Sequence, residues 1–290
     1  MPRIKNITIL FLSIALTLPP AGMAAQISVS PERLKSRVEF LSDTLCDGRG
    51  MGTRGNFEAM AYVARNFCAC GMEVELQPFV VDGRVGHNVI ARHFGNPAFP
   101  AYTLVTAYYD GMGRIGGRML PGADANASGV AALLEAARYL KDSPRNYIFV
   151  ALDGHNANMS GAMYCQQKFR SPQRVVNLDI LGSTLAPVTP LRPNYLIVLG
   201  GAQYARSLES EDIFNELVLY YDYYGSQRFT ELFYRRISDQ KYWLDNGVAC
   251  FMFTSGITDN TNKYYDDAWS LDYDVFAKRV NLICRWLAKH

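Results

Sequence analysis

The spacing of apolar positions changes repeatedly along the chain. PERLKSRVEFLSD (31–43) and FEAMAYVARNFCACG (57–71) repeat near 3.6 residues and predict two helices, the second stopped at Gly71. A glycine-rich connector, DGRGMGTRGN, lies between them. Val74–Val81, NVIARHF and TLVTAYY are rich in β-branched and aromatic residues and predict strands. ASGVAALLEAARYLKD then predicts an amphipathic helix, NYIFVALD a buried strand, SGAMYCQQKF a helix and RVVNLDIL a strand. NYLIVLG is a further strand, ESEDIFNELVLYYDYY a helix, VACFMFTS a strand and DYDVFAKRVNLICRWLAK a closing helix. Apolar strands alternating with helices imply an α/β three-layer sandwich: a mixed central sheet, its central strands parallel, with helices on both faces. No linker or internal repeat interrupts residues 26–290, so a single domain is expected there.

The first 25 residues follow a different rule. Arg3 and Lys5 precede a 12-residue apolar run, Ile7 to Leu18, and then the small, turn-prone PPAGMAA. This order is that of a secretory signal peptide, with cleavage expected after Ala24 or Ala25. A helix of that length rises only about 18 Å, against the roughly 30 Å of a bilayer core. The expected mature protein is therefore exported, periplasmic or extracellular, with no membrane span. Two of the 29 basic residues and none of the 27 acidic ones fall in residues 1–25, which leaves 27 of each. That balance, with no basic block, excludes a nucleic-acid footprint. All six cysteines lie beyond the leader. An oxidising compartment permits disulfides, but spacing alone does not give their connectivity, and free buried thiols are the equal alternative.

In an open α/β sheet, ligands bind at the carboxyl ends of the central strands. Five segments place polar residues just past a strand: AYYDGMG, GADANASG, LDGHNANMSG, NLDILGS and SGITDNTNKYYDDAW. Each alone is a weak signal; their convergence is the functional one.

Over about residues 33–289 these segments, in this order, resemble the zinc-dependent aminopeptidases of metallopeptidase family 28, a group that includes glutaminyl cyclases. VEFLSDTLCDGRGMGTRGN is similar to the family's opening segment, PGADANASGVAALLEAARYL to PGADDNASGVAALLEAAR, and DYDVFAKRVNLICRWLA to its closing helix. The resemblance implies two zinc ions held by five protein ligands, with a carboxylate as general base. At the implied ligand positions this chain has Tyr108 for His, Ala125 for Asp, Asn156 for Glu, Asp179 retained, and Asn262 for His. The implied general-base position is His155, and Gln240 replaces a further His near the substrate. One ligand of five survives.

Zinc takes thiolate, imidazole or carboxylate donors. Alanine has none, and a neutral phenol or amide is a poor substitute. Without the ion, no bound water reaches a pKa near 7. The sequence therefore predicts an exported pseudo-peptidase with no catalytic residue, no metal and no cofactor. Its former cleft, lined by Tyr108, Asp110, Asp124, His155, Asn156, Asp179, Gln240 and Asn262, is expected to bind a peptide or other small ligand. The remaining acids are expected to pair with His155, Tyr108, Asn156 or Asn262. The alternative is a divergent metallohydrolase with a rearranged one-metal site around His155, Asp179 and Asp124, which would need zinc. A serine nucleophile at Ser128 or Ser160 lacks any supporting motif. The bland reading makes His155 a hydrogen-bonded buried imidazole, Asp110 and Asp124 caps of backbone N–H groups, and the tyrosines of 220–224 packing at a helix end; the functional reading makes those tyrosines a cleft wall or partner surface. KYYDD (263–267) is expected to border the cleft.

Overall fold

The computed structural model describes residues 28–184, 194–223 and 225–290. The expected leader and its cleavage site lie outside them. Among the described residues ten strands run in chain order: β1 Glu73–Val81, β2 Arg84–Phe94, β3 Thr103–Tyr108, β4 Arg114–Ile115, β5 Arg118–Met119, β6 Asn146–Leu152, β7 Arg174–Leu178, β8 Tyr195–Leu199, β9 Val218–Tyr220 and β10 Cys250–Thr254. The helices are α1 Pro31–Ser42, α2 Arg54–Ala69, α3 Gly129–Leu140, α4 Ser160–Lys168, α5 Ala205–Glu211, α6 Gln227–Arg235, α7 Lys241–Leu244 and α8 Tyr273–Lys289. Side chains cap the starts of three of them. Ser30 caps α1 ahead of Pro31, Thr53 caps α2, and Asp272 caps α8 by accepting from Val275 N at 3.1 Å.

Eight strands form one mixed sheet in the order β1-β2-β6-β3-β7-β10-β8-β9, and β4 pairs with β5 in a separate hairpin. The four central strands, β6, β3, β7 and β10, are mutually parallel. On one side β2 and β1 follow antiparallel; on the other, β8 runs antiparallel to β10. Period-2 alternation sorts the core. Val105, Ala107, Phe149, Val176 and Phe253 join a cluster with α1, α2, α3 and α8, while Leu104, Tyr108, Ile148, Val150 and Val175 join one with α4 and Trp243 of α7. Helices thus cover both faces. The sheet's edges are β1, interrupted by Pro78, and β9, only three residues long.

One predicted element is corrected. The helix expected over 209–224 does not form: α5 ends at Glu211, and Val218–Tyr220 instead pairs parallel with β8. The β-branched and aromatic text VLYY decides locally, because strand pairing there gives those residues a partner that an isolated turn of helix lacks. All six cysteines are free thiols; Cys46, Cys165, Cys250 and Cys284 are buried.

Candidate functional site

Residues at or near the C-terminal ends of the parallel strands β3, β7 and β10 line a cavity of about 210 Å³. Tyr108 closes β3, Asp179 follows β7, and Met252 and Thr254 belong to β10. His155 comes from the turn after β6, entered through Gly154 at φ +68°. A Cβ at Gly161 would lie 2.0 Å from the Asp153 carbonyl, so only glycine lets α4 pack against the turn that carries His155. Asn262, Thr261 and Ile257 arrive on the loop after β10.

His155 is fixed on two sides. Its ring stacks on Tyr108 with centroids 3.8 Å apart and planes 11° from parallel. Its Nδ1 lies 2.9 Å from Oδ2 of Asp239, a carboxylate with no exposed surface. Burial alone would lower the imidazole pKa, but the charge and hydrogen bond of Asp239, with Asp179 and Asp110 behind them, outweigh it and raise the pKa to about 9. The imidazolium is therefore the form at neutral pH. Burial and the surrounding aspartates push the Tyr108 phenol well above its usual range, so it stays neutral.

The other sequence-predicted positions divide between the cavity wall and the layer behind it. Tyr108, His155, Asp179 and Asn262 line the cavity. Asp110 is fully buried behind them and accepts from the backbone N–H groups of His155 (2.8 Å) and Asn156 (3.0 Å) and from the Asn156 amide (3.1 Å). Burial and the nearby Asp153 push its pKa up; the N–H donors pull it back. Asn156 is exposed and spends its amide on Asp110. Asp124, also buried, accepts from Gly182 N, Ser183 N and Ser128 Oγ, while Asp266 accepts from the backbone N–H groups of Asp124 and Ala125. Burial and Asp266 push Asp124 up. Asp179 accepts from Ser238 Oγ at 3.1 Å, and burial raises it to about 6. Gln240 faces the core, where it bonds Asn177 and the Tyr234 carbonyl.

These partners differ from the expected ones. Only Asp110 is paired by His155 and Asn156; backbone amides and Ser128 hold Asp124, and Ser238 holds Asp179. Asp110, Asp124 and Gln240 stand behind the cavity because buried carboxylates and amides need several N–H or O–H partners, which the strand-end turns supply. Of the two readings of the tyrosine run, Tyr223 follows the cleft wall: it stacks on Phe233 at 4.3 Å, and both line the cavity.

Sequence reasoning missed Asp239, the partner of His155, although it stands beside Gln240 in the SDQ triplet. It also missed the apolar wall that Phe233, Ile237, Met252 and Ile257 form beside Tyr223. No short motif marks that wall; it is assembled from α6, β10 and two loops. Asn126 was missed too, and it clamps the strand ends. Its amide donates to the Tyr108 and Leu178 carbonyls, and its oxygen accepts from Gly129 N and Ile180 N. Arg49, buried, donates to the carbonyls of Leu41, Tyr109, Pro121 and Gly122.

The residues at the implied metal positions do not fit a two-zinc centre. Tyr108 is a neutral phenol stacked face-on, Ala125 has no donor, Asn156 is committed to Asp110, and Asn262 offers only an amide. Among the described residues no group of three or more His, Cys, Asp or Glu is placed to hold a metal ion.

The fold and the strand-end cavity define an aminopeptidase-like α/β protein. Three structures match over 89% of this chain: BSAP, a zinc aminopeptidase from Bacillus subtilis (TM-score 0.72, 12% identity, 94% of that chain), LapA from Legionella pneumophila (0.71, 13%, 72%) and the Porphyromonas gingivalis glutaminyl cyclase (0.69, 18%, 97%). The model of peptidase family M28 matches residues 88–287, and the chain belongs to that family. Two Escherichia coli proteins align in part. The protein YfbL is 35% identical over 115 residues (38% of this chain, 35% of YfbL), and the alkaline phosphatase isozyme conversion protein is 28% identical over 167 (48% of each). The chain thus spans about a third to a half of the curated relatives it matches. Among the described residues no helix is long and apolar enough to cross a membrane.

Proposed function

We propose that this chain is an exported, non-catalytic member of peptidase family M28 whose residues 26–290 form one domain behind a cleaved leader, and whose former active cleft binds a peptide or other small ligand without zinc. The observation that carries this reading is the His155–Asp239 pair. A cationic imidazole, stacked on a tyrosine and ion-paired to a buried carboxylate, occupies the position where the family resemblance implies a basic carboxylate. A cation there repels a metal ion and does not take a proton from water at neutral pH. The remaining acids are engaged by N–H and O–H donors, so the cleft coheres through its own hydrogen bonds.

The test is metal analysis of the purified chain, with hydrolysis of aminoacyl amides and short peptides measured with zinc and with chelator. Neither stoichiometric zinc nor chelator-sensitive hydrolysis is expected. One tightly held zinc per chain, with activity lost on chelation, would replace this reading by the one-metal hydrolase. Mass measurement on exported protein tests the leader: a retained Met1 would refute it.

A further inference from the structure

We propose that α6 is a docking surface for an anionic phospholipid bilayer, which it meets with an apolar strip flanked by arginines. This goes beyond the preceding reading and holds whether or not the cleft binds zinc.

α6, Gln227–Arg235, buries none of its residues. One side of it is held to the protein: Thr230 Oγ1 accepts from Tyr223 N at 2.8 Å, and the Tyr234 hydroxyl donates to the Cys250 carbonyl at 2.7 Å. Phe229, Leu232 and Phe233, at i, i+3 and i+4, make an apolar strip next to that side. Phe229 is 49% exposed, and Leu232 and Phe233 are half-buried. The Phe229 and Phe233 rings stack with centroids 6.3 Å apart, and Phe233 and the exposed Ile237 line the strand-end cavity. The strip therefore runs from the outer surface to the cavity mouth. Residues 226–238 carry three arginines against one glutamate. Glu231 is taken by Arg235 at 2.9 Å. The exposed side chains of Arg228 and Arg236 adjoin Phe229 and Leu232 and have no ion pair among the described residues.

Charge and shape together select the partner. Apolar side chains interleaved with cations on a convex helix fit a surface whose phosphates lie directly over hydrocarbon. The arginine stems lie along the strip and carry their guanidiniums to the phosphates. An acidic protein would need a groove shaped to the helix and carboxylates at fixed places; a bilayer needs neither. So short a helix inserts too little apolar surface to hold the chain alone, which makes docking depend on anionic lipid. Each arginine near such a surface is worth about a fivefold change in partition. Docked by α6, the chain has its cavity mouth at the membrane.

Co-sedimentation of the full chain with vesicles of phosphatidylcholine, alone or mixed with phosphatidylglycerol, tests the inference. The mixed vesicles are expected to take up the chain at least about tenfold better, and the difference should shrink as salt is added. Arg228→Glu with Arg236→Glu, and separately Phe229→Ser with Leu232→Ser, should each lower that binding at least about tenfold. Arg65→Glu, a change at an exposed arginine of α2, should not. In the wild type, where no variant has to fold, the mixed vesicles should slow hydrogen exchange of the α6 amides. Equal binding to both vesicles, no binding, unchanged α6 exchange, or an equal loss with Arg65→Glu overturns the inference. Displacement by free glycerol phosphate replaces the bilayer by a headgroup site, and binding to polyglutamate as tight as to the mixed vesicles replaces it by an acidic protein. Stoichiometric zinc or peptide hydrolysis overturns the preceding reading and leaves this one in place.

Discussion

His155 and Asp239 depend on each other in a way that single substitutions expose. His155→Ala strands a fully buried carboxylate, and breaking such a pair costs roughly 3 kcal/mol or more. His155 keeps 18% of its side chain exposed, so water offsets part of that cost. We expect a loss of about 2–3 kcal/mol in urea denaturation; a change below about 0.5 kcal/mol would show that the pair does not hold the turn. Asn126 is the stronger dependency. Asn126→Ala removes four hydrogen bonds at once; the Gly129 N–H keeps the Asn126 carbonyl, but the buried Tyr108 and Leu178 carbonyls and the Ile180 N–H lose this partner. At about 1–3 kcal/mol for each group left unsatisfied, the variant is expected to be unfolded or to melt far below wild type; a near-native melting curve would refute the clamp. The legibility of these residues differs for a physical reason. Tyr108, His155, Asp179 and Asn262 were readable because each follows a strand or sits in a family segment. Asp239 acts through a partner 84 positions away, and three of the four partners of Asn126 lie 18 or more positions away, a distance that no local pattern encodes.

At the scale of elements, the parallel core was legible from TLVTAYY, NYIFVALD, RVVNLDIL and VACFMFTS because strands buried on both faces are apolar throughout. Residues 209–224 were misread because an acidic start and a tyrosine-rich end imitate an amphipathic helix, while the actual segment is a short helix, a loop and an edge strand. No element was read over residues 225–247, where only Gln240 was singled out, although α6 and α7 lie there. Among the described residues α6 has no buried residue, and it reaches the cavity through Phe233. Few buried contacts make a low-cost opening. Native-state hydrogen exchange is expected to show α6 amides exchanging much faster than those of β3, β6 and β7; equal protection would mean that α6 unfolds only with the whole sheet.

For the molecule as a whole, the buried acids and His155 set the response to pH in one direction. Asp110, Asp124 and Asp179 are raised, so each weakens the fold only after pH passes from the unfolded carboxyl range, near 4, through its folded value, about 6 for Asp179. His155 contributes fully below about 6.5 and loses its contribution as pH rises through about 9. Glu135, despite the cost of its burial, is held low by Arg138, Arg37 and Arg33, and its contribution is lost only in stronger acid. The melting temperature is therefore expected to peak near pH 5 and to fall towards pH 9; a maximum above pH 8 would contradict the assigned charges. The sheet itself has a consequence for how copies of the chain meet. Its two edges are poor templates for growth: β1 has Pro78, which donates no hydrogen bond, with Glu73 exposed and Glu75 half-buried, and β9 spans three residues. An eight-stranded open sheet with a long, unbroken edge is a template for amyloid-like stacking. Strand recruitment between copies is therefore disfavoured at both edges, and self-association at high concentration is expected to use helical faces and loops instead.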